Sequence, residues 1–263
     1  MLQIVIPMAG RGSRFADQGY KLPKPLIPVH GVPMTRLVID NLRPSRPHRF
    51  TFICQRAHLD DFGLAAHLRE WAPGCEVIGI DRVTEGAACT VLLAKAAIDS
   101  DDALMIANCD QYVDVAIDDY LADMDARDLD GLIMTMKAND PKWSFVGFDE
   151  AGRVSTVVEK RVISDEATVG IYNYRRGRDF VAAAETMIAR NLRVNNEFYV
   201  APAYNLLLEQ GHTLGVYSIG TEGAGMYGLG IPEDLAKFEA LELSREAARQ
   251  SLAGPVGAAS CSS

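Results

Sequence analysis

Short apolar runs alternate with longer segments of helical period along the first half of this chain: LQIVIP then PMTRLVIDNL, FTFIC then HLDDFGLAAHLREW, EVIGI then AACTVLLAKAAI, ALMIA then AIDDYLADM. Runs this short and this apolar suit strands buried on both faces, and a helix between them returns the chain to lay the next strand parallel. After Gly131 the rhythm changes. LIMTMKA, FVGFDEAGRVSTVVEK and TVGIYNY read as strands, with DEAG as a hairpin turn; helical period returns in RDFVAAAETMIARNL and NEFYVAPAYNLLLEQG, the second ending on Gly211. HTLGVYSI is a further strand, GTEGAGMYGLG a glycine-rich loop, and PEDLAKFEALELSREAARQSL a helix with Pro232 in its first turn and Glu233 and Asp234 complementing its dipole. The pattern predicts an α/β fold, a three-layer α/β/α, Rossmann-like arrangement around a mixed, mostly parallel sheet. One domain is expected over residues 1–250, with a change of layer near residue 131 and a flexible tail over 251–263.

Composition narrows the class. The formal net charge of −9 argues against a nucleic-acid partner, which needs a basic footprint, and local arginines and lysines stand out against that background. The 5 cysteines (Cys54, Cys75, Cys89, Cys109 and Cys261) are widely spaced and odd in number, which suggests reduced thiols in a cytoplasm. No apolar run approaches the roughly 18–20 residues that span a bilayer, and no basic leader precedes one, so a soluble protein without a membrane partner is expected. The histidines lack metal-site spacing. A homo-oligomer is compatible with everything above.

In an open α/β sheet, ligands sit beyond the carboxyl ends of the strands, and the loop after the first strand is MAGRGSRF. Around Met8, Ala9 and Ser13, Gly10 and Gly12 expose backbone N–H groups without a Cβ in the way, the makings of an anion-binding nest; Arg11 and Arg14 add charge-assisted contacts to phosphate oxygens. A dinucleotide fingerprint wants a glycine where Phe15 stands, and a Walker loop wants an absent Gly-Lys-Ser/Thr. A plain tight turn also fits the glycine pair alone. Next comes Pro23-Lys24-Pro25, where prolines on both sides hold the backbone extended and present one ammonium at a fixed place.

Together, G-x-G-S-R-F and P-K-P-L-x-P-V resemble the sugar-1-phosphate nucleotidyltransferases, the pyrophosphorylase branch of the GT-A-like fold. The resemblance continues in order to about residue 240, through TEGAA, NCDQ, NDPKWSF, Glu159-Lys160, TVGIYNY and LGIPEDL. It implies a nucleotide-binding half over 1–130 and a sugar-phosphate half over 131–250. It implies that Gly10, Gly12 and Arg14 hold the triphosphate, with Lys24 near the α-phosphate, and that Asp110 binds Mg²⁺; Arg14, Lys24 and Asp110 are the catalytic candidates. Glu85, Gly86 and Asn108 fall on the nucleotide side. Glu159 and Lys160 are expected to hold the second substrate, with Gly170 and Glu197 further candidates. Trp143 and Tyr172 either stack on that substrate or pack in the core. The implied reaction joins an NTP and a sugar 1-phosphate or related phosphorylated small molecule and releases pyrophosphate, for surface polysaccharide assembly.

Departures mark where the resemblance thins. Gly228 stands where thymidylyl- and uridylyltransferases carry an aspartate, so a second metal carboxylate is missing. Asp81 stands where they carry a base-reading glutamine; a carboxylate accepts from guanine N–H groups or the cytosine amino group, a lean toward CTP or GTP, while a solvated strand end is the other reading. Ser144-Phe145 replaces a sugar-contacting glycine. Alternatives are a glycosyltransferase of the GT-A type, disfavoured because Asn108-Cys109-Asp110 is not an Asp-x-Asp motif, and a non-catalytic nucleotide- or sugar-phosphate-sensing module.

Overall fold

Strand β1 (Leu2–Met8) shows how the layers arise: Ile4 and Ile6 enter one buried core and Val5 the other, so alternate residues of a single strand feed both faces of the sheet. The structure, a computed structural model, describes residues 1–10 and 12–254. The strands after β1 are β2 (Pro28–Val29), β3 (Val32–Pro33), β4 (His48–Gln55), β5 (Glu76–Ile80), β6 (Ala103–Ala107), β7 (Gln111–Val113), β8 (Gly131–Lys137), β9 (Ser144–Phe148), β10 (Val154–Glu159), β11 (Glu166–Tyr174), β12 (Leu214–Glu222) and β13 (Gly225–Gly228). β2 and β3 form a ribbon apart; among the described residues the others make one sheet in the order β5-β4-β1-β6-β11-β8-β12-β13-β7, with β9 and β10 attached to β11.

The α/β/α expectation holds. β5, β4, β1 and β6 run parallel, as their helical crossovers dictate, while β11 enters antiparallel between β6 and β8. Helices Met34–Asn41 and Leu64–Trp71 bury Leu37, Val38, Leu64 and Leu68 against one face. Helices Ala87–Leu92, Gly177–Ala189 and Tyr204–Glu209 bury Ala88, Val91, Phe180, Met187 and Leu207 against the other. Strands from both sequence halves thus share a sheet, and β11 lies next to β6 so that Ile171 pairs with Ala107. That pairing sets the loop after β6 against the middle of β11.

Several expected helices are broken. HLDDFGLAAHLREW divides at Gly63, whose φ of 62° ends helix Arg56–Phe62 before Leu64–Trp71 begins. AACTVLLAKAAI divides after Leu92, where the N–H groups of Leu93 and Ala94 bond three residues back and tighten the turn. In NEFYVAPAYNLLLEQG only Tyr204–Glu209 is α-helical, because Phe198 spends its backbone groups on another segment and Pro202 starts a 3₁₀ turn. The last helix runs Glu242–Ala253, so residues 251–253 are helical where a tail was expected; residues 255–263 lie outside the described residues. Among the described residues no helix is long and apolar enough to cross a membrane.

Candidate active site

Two cavities open beyond the carboxyl ends of β1 and β6 and meet at the side chain of Asn108, which lines both. The first, about 460 Å³, is lined by Met8, Gly10, Gly12, Lys24, Cys109 and Asp110 among others. Met8 and Ala9 are buried beneath the loop, and Gln55 at the end of β4 donates from Nε2 to the carbonyls of Gly10 (2.6 Å) and Ala9 (3.3 Å). Gly12, at φ 61°, leads into the short helix Ser13–Asp17. Arg14 on that helix is exposed; its charge acts on Lys24, yet its side chain is not part of the cavity wall. Arg11 lies outside the described residues.

Lys24 opens a 3₁₀ turn, Lys24–Leu26, behind an extended Pro23. Its Nζ donates to Asp110 Oδ2 at 2.5 Å, with the two side chains 17% and 30% exposed. Burial works to strip this ammonium of its proton, but the Asp110 carboxylate outweighs it and the Lys24 pKa is raised, so the group stays charged. Burial pushes the neighbouring Cys109 thiol up to about 11, which keeps it protonated and unsuited as a nucleophile at neutral pH. Backbone closes the far side: the Leu229 N–H donates to the Asp110 carbonyl at 2.7 Å, and a Cβ on Gly230 would stand 2.7 Å from Asp110 Oδ2. Among the described residues no three His, Cys, Asp or Glu side chains converge as a metal cage. Asp110 beside an open phosphate-sized cavity fits Mg²⁺, which takes one or two carboxylates and fills its other positions with phosphate and water. Gly228 contributes nothing to that set; a Cβ there would face Asp234 Oδ2 at 3.3 Å.

The second cavity, about 230 Å³, is lined by Trp143, Ser144, Glu159, Lys160, Gly170, Tyr172 and Tyr199 among others. Glu159, the last residue of β10, is 8% exposed and accepts from the Ser144 hydroxyl. Burial raises its pKa above the ordinary 4.5, against the opposing pull of that hydrogen bond and of Lys160. The Lys160 backbone, at φ 53°, donates to the Trp143 carbonyl, and Lys142 Nζ lies 4.8 Å from the Trp143 ring while bonding Glu222 at 2.9 and 3.0 Å. Tyr172 both packs in the core and walls the cavity, its hydroxyl 3.0 Å from Thr168 Oγ1. Gly170, at φ 82°, has no alternative: a Cβ would lie 2.2 Å from Asn108 Nδ2.

Backbone also ties the wall of the second cavity to the TEGAA loop, whose Ala87 lines that cavity. Phe198 donates its N–H to Glu85 O at 2.9 Å and accepts from the Ala88 N–H at 3.0 Å, so close that a Cβ on Gly86 would sit 2.4–2.8 Å from Phe198 backbone atoms. Glu85 turns outward to Arg193 at 2.8 Å. Glu197 is exposed and not part of the cavity wall, although its charge acts on Glu159 and Lys160. Asn195 and Asn196 both have positive φ and turn the chain between Val194 and Glu197. Asp81 is exposed, accepts from Arg56 Nε at 2.7 Å, and lines a separate depression with Gln55 and Arg56. Gln55, Lys142, Tyr199 and Gly230 escaped sequence reasoning; Lys142, inside NDPKWSF, and Gly230, inside LGIPEDL, sit in stretches that carried a signal.

The fold is thus a three-layer α/β frame with two adjoining cavities at its strand ends, each walled by lysines and a carboxylate. The chain belongs to the nucleotidyl transferase family, whose model matches residues 4–199. It is similar in structure to the nucleoside-diphosphate-sugar pyrophosphorylase of Vibrio cholerae RC9, with 25% identity and a TM-score of 0.74 over 90% of this chain and 100% of that one. It shares its fold with a putative glucose-1-phosphate thymidylyltransferase of Bacillus anthracis (18% identity, TM-score 0.69, 94% and 96% covered). The same holds for the inositol-1-phosphate CTP transferase of T. maritima (14% identity, TM-score 0.69, 97% and 98% covered). No curated protein matches the sequence. The family match sets the chain with nucleotidyltransferases and not with glycosyltransferases that consume nucleotide sugars.

Proposed function

We propose that this enzyme couples an NTP to a sugar 1-phosphate, or a related phosphorylated small molecule, to give a nucleotide-activated product for surface polysaccharide assembly. The observation that carries the reading is the meeting of two cavities at Asn108, one holding Lys24 and Asp110, the other Glu159 and Lys160. The triphosphate lies along the Gly10–Gly12 loop with its α-phosphorus toward Lys24 and Asn108. The acceptor's phosphate lies on Lys160, with a hydroxyl on Glu159. An acceptor phosphate oxygen then attacks the α-phosphorus in line; its new P–O bond forms as the bond to the bridging oxygen breaks, and pyrophosphate leaves. The nucleophile is already an anion, so no general base is needed, and Cys109 stays a spectator.

Lys24 supplies a fixed positive charge where negative charge gathers in the transition state. Asp110 would hold Mg²⁺, and when bound that cation would neutralise phosphate charge and help orient the leaving group. Lys24 now sits on the carboxylate oxygen that a cation would share, so the ammonium and the metal divide one anionic partner between them. Arg14 reaches the outer phosphates by turning from its exposed position. An NTP substrate supports a cytoplasmic site of action. The lean toward CTP or GTP rests on Asp81, whose carboxylate Arg56 already engages, so the base is left to experiment. Pyrophosphate release measured with each of the four NTPs, a panel of sugar 1-phosphates and Mg²⁺ tests the reading; release with one pairing is expected. Binding without release in every pairing would make the chain a sensing module.

A further inference from the structure

We propose that Tyr199 is a positioning residue for the acceptor site, holding the Lys160 ammonium where the acceptor's phosphate must meet it. The inference rests on the reading of Lys160 given above. Lys160 is exposed and lies at the end of a flexible four-carbon stem, so without a partner its charge would sweep a wide arc. Its backbone is pinned by the bond to Trp143 O, and its far end donates to Tyr199 Oη at 2.9 Å, with Nζ 5.1 Å from the ring centroid. One of three ammonium protons is thereby used, and two remain for phosphate oxygens. The Tyr199 hydroxyl is the leading cause of the raised Lys160 pKa, ahead of opposing burial.

Tyr199 is itself held firmly. Its neighbour Phe198 is fully buried, bonds the nucleotide loop through both backbone groups, and lies with its ring 4.3 Å from the Arg193 guanidinium. A tyrosine on so rigid a segment offers Lys160 a fixed anchor, which a tyrosine on a free loop would not.

The test is site-resolved acetylation of lysines on the full chain, read by mass spectrometry, with inorganic phosphate as the protecting probe. Tyr199→Phe keeps the ring and removes only the hydroxyl. Lys160 is expected to label faster in the variant, and the phosphate concentration giving half protection to rise roughly fivefold, the weight of one hydrogen bond. Lys24 labelling and protection, together with the unfolding temperature, should stay unchanged, which a merely structural role for Tyr199 would not allow. Identical labelling and protection of Lys160 in the two proteins would overturn the positioning role alone. Failure of phosphate to protect Lys160 in the unaltered protein would overturn the acceptor role of Lys160, and this proposal with it.

Discussion

The two cavities that the proposal assigns to phosphates are built from different materials. The first, read as the nucleotide side, takes most of its wall from one continuous stretch, residues 7–25, which holds the Gly10–Gly12 loop and a lysine preset by prolines; His58, Phe62 and residues 108–110 complete it. The second, read as the acceptor side, gathers residues 142–144, 159–160, 168–172 and 199–201, aligned by β9, β10 and β11, together with Ala87 and Asn108. The first depends mostly on local backbone shape. The second exists only when distant strands pack, so it should be the more easily disturbed of the two, and the Phe198 clamp on residues 85–88 is the place to test whether the two respond together.

The largest effect should come from Asp110, to which the proposal gives the cation. Asp110→Asn is expected to cut metal-dependent turnover on the order of 10²- to 10³-fold. Circular dichroism should show the fold retained. Substantial residual turnover would remove Asp110 from the metal role.

Gly86→Ala comes next, because a Cβ 2.4–2.8 Å from the Phe198 backbone must push the nucleotide loop and the acceptor segment apart. Overpacking of this kind costs roughly 1–3 kcal/mol, visible as a lower unfolding temperature. KM for both substrates should rise; a rise in one alone would show that the clamp does not serve both cavities.

Lys160→Ala separates the cavities instead of joining them. Losing a charge-assisted hydrogen bond to phosphate should raise the acceptor's KM roughly 10- to 100-fold. NTP binding should hold within about twofold, as for a change confined to one site. Equal weakening of both would show that the acceptor site is misassigned.

Glu159 sharpens the comparison through pH. Its pKa is raised by burial, so the unfolded chain loses this proton at lower pH than the folded one does. The stability tied to the protonated carboxyl is therefore present below about 4.5 and declines as pH rises toward the folded value. Glu159→Gln has no such decline. The variant's unfolding temperature should gain on the parent's as pH increases through that window and then level off, while acceptor binding suffers at neutral pH. A constant difference across pH would mean that Glu159 is not held in its neutral form by burial.

The same contrast explains what the sequence made legible. The layers followed from apolar periodicity, and the glycine and proline stretches that wall the first cavity were marked within a few residues of each other, because both are local consequences of backbone shape. Helix breaks at Gly63 and Leu93 were lost within runs whose side-chain pattern never falters. Tyr199 carries no local mark, since a hydroxyl on Lys160 arises only when segments 39 residues apart pack together. Asp81 shows the opposite limit: its position against the family pattern enlisted it, and that position does not show a guanidinium supplied by the helix that follows β4.

Asp81 should therefore give the smallest effect. The Arg56–Asp81 pair is exposed on both sides, and such pairs are worth little, so Asp81→Asn should shift stability by roughly 0.5 kcal/mol or less. Its bearing on base choice is the sharper question. A carboxylate that reads a base by accepting its N–H groups discriminates by roughly 1–3 kcal/mol, so its loss would compress the preference among the four NTPs about tenfold or more. With one Asp81 oxygen on Arg56, and the side chain outside the cavity that holds Lys24 and Asp110, the ratio of pyrophosphate release among CTP, GTP, UTP and ATP is expected to stay as it was. A ratio that collapses would return base reading to Asp81 and extend the nucleotide site across the edge of β5; an unchanged ratio leaves the base to the backbone of residues 84–88.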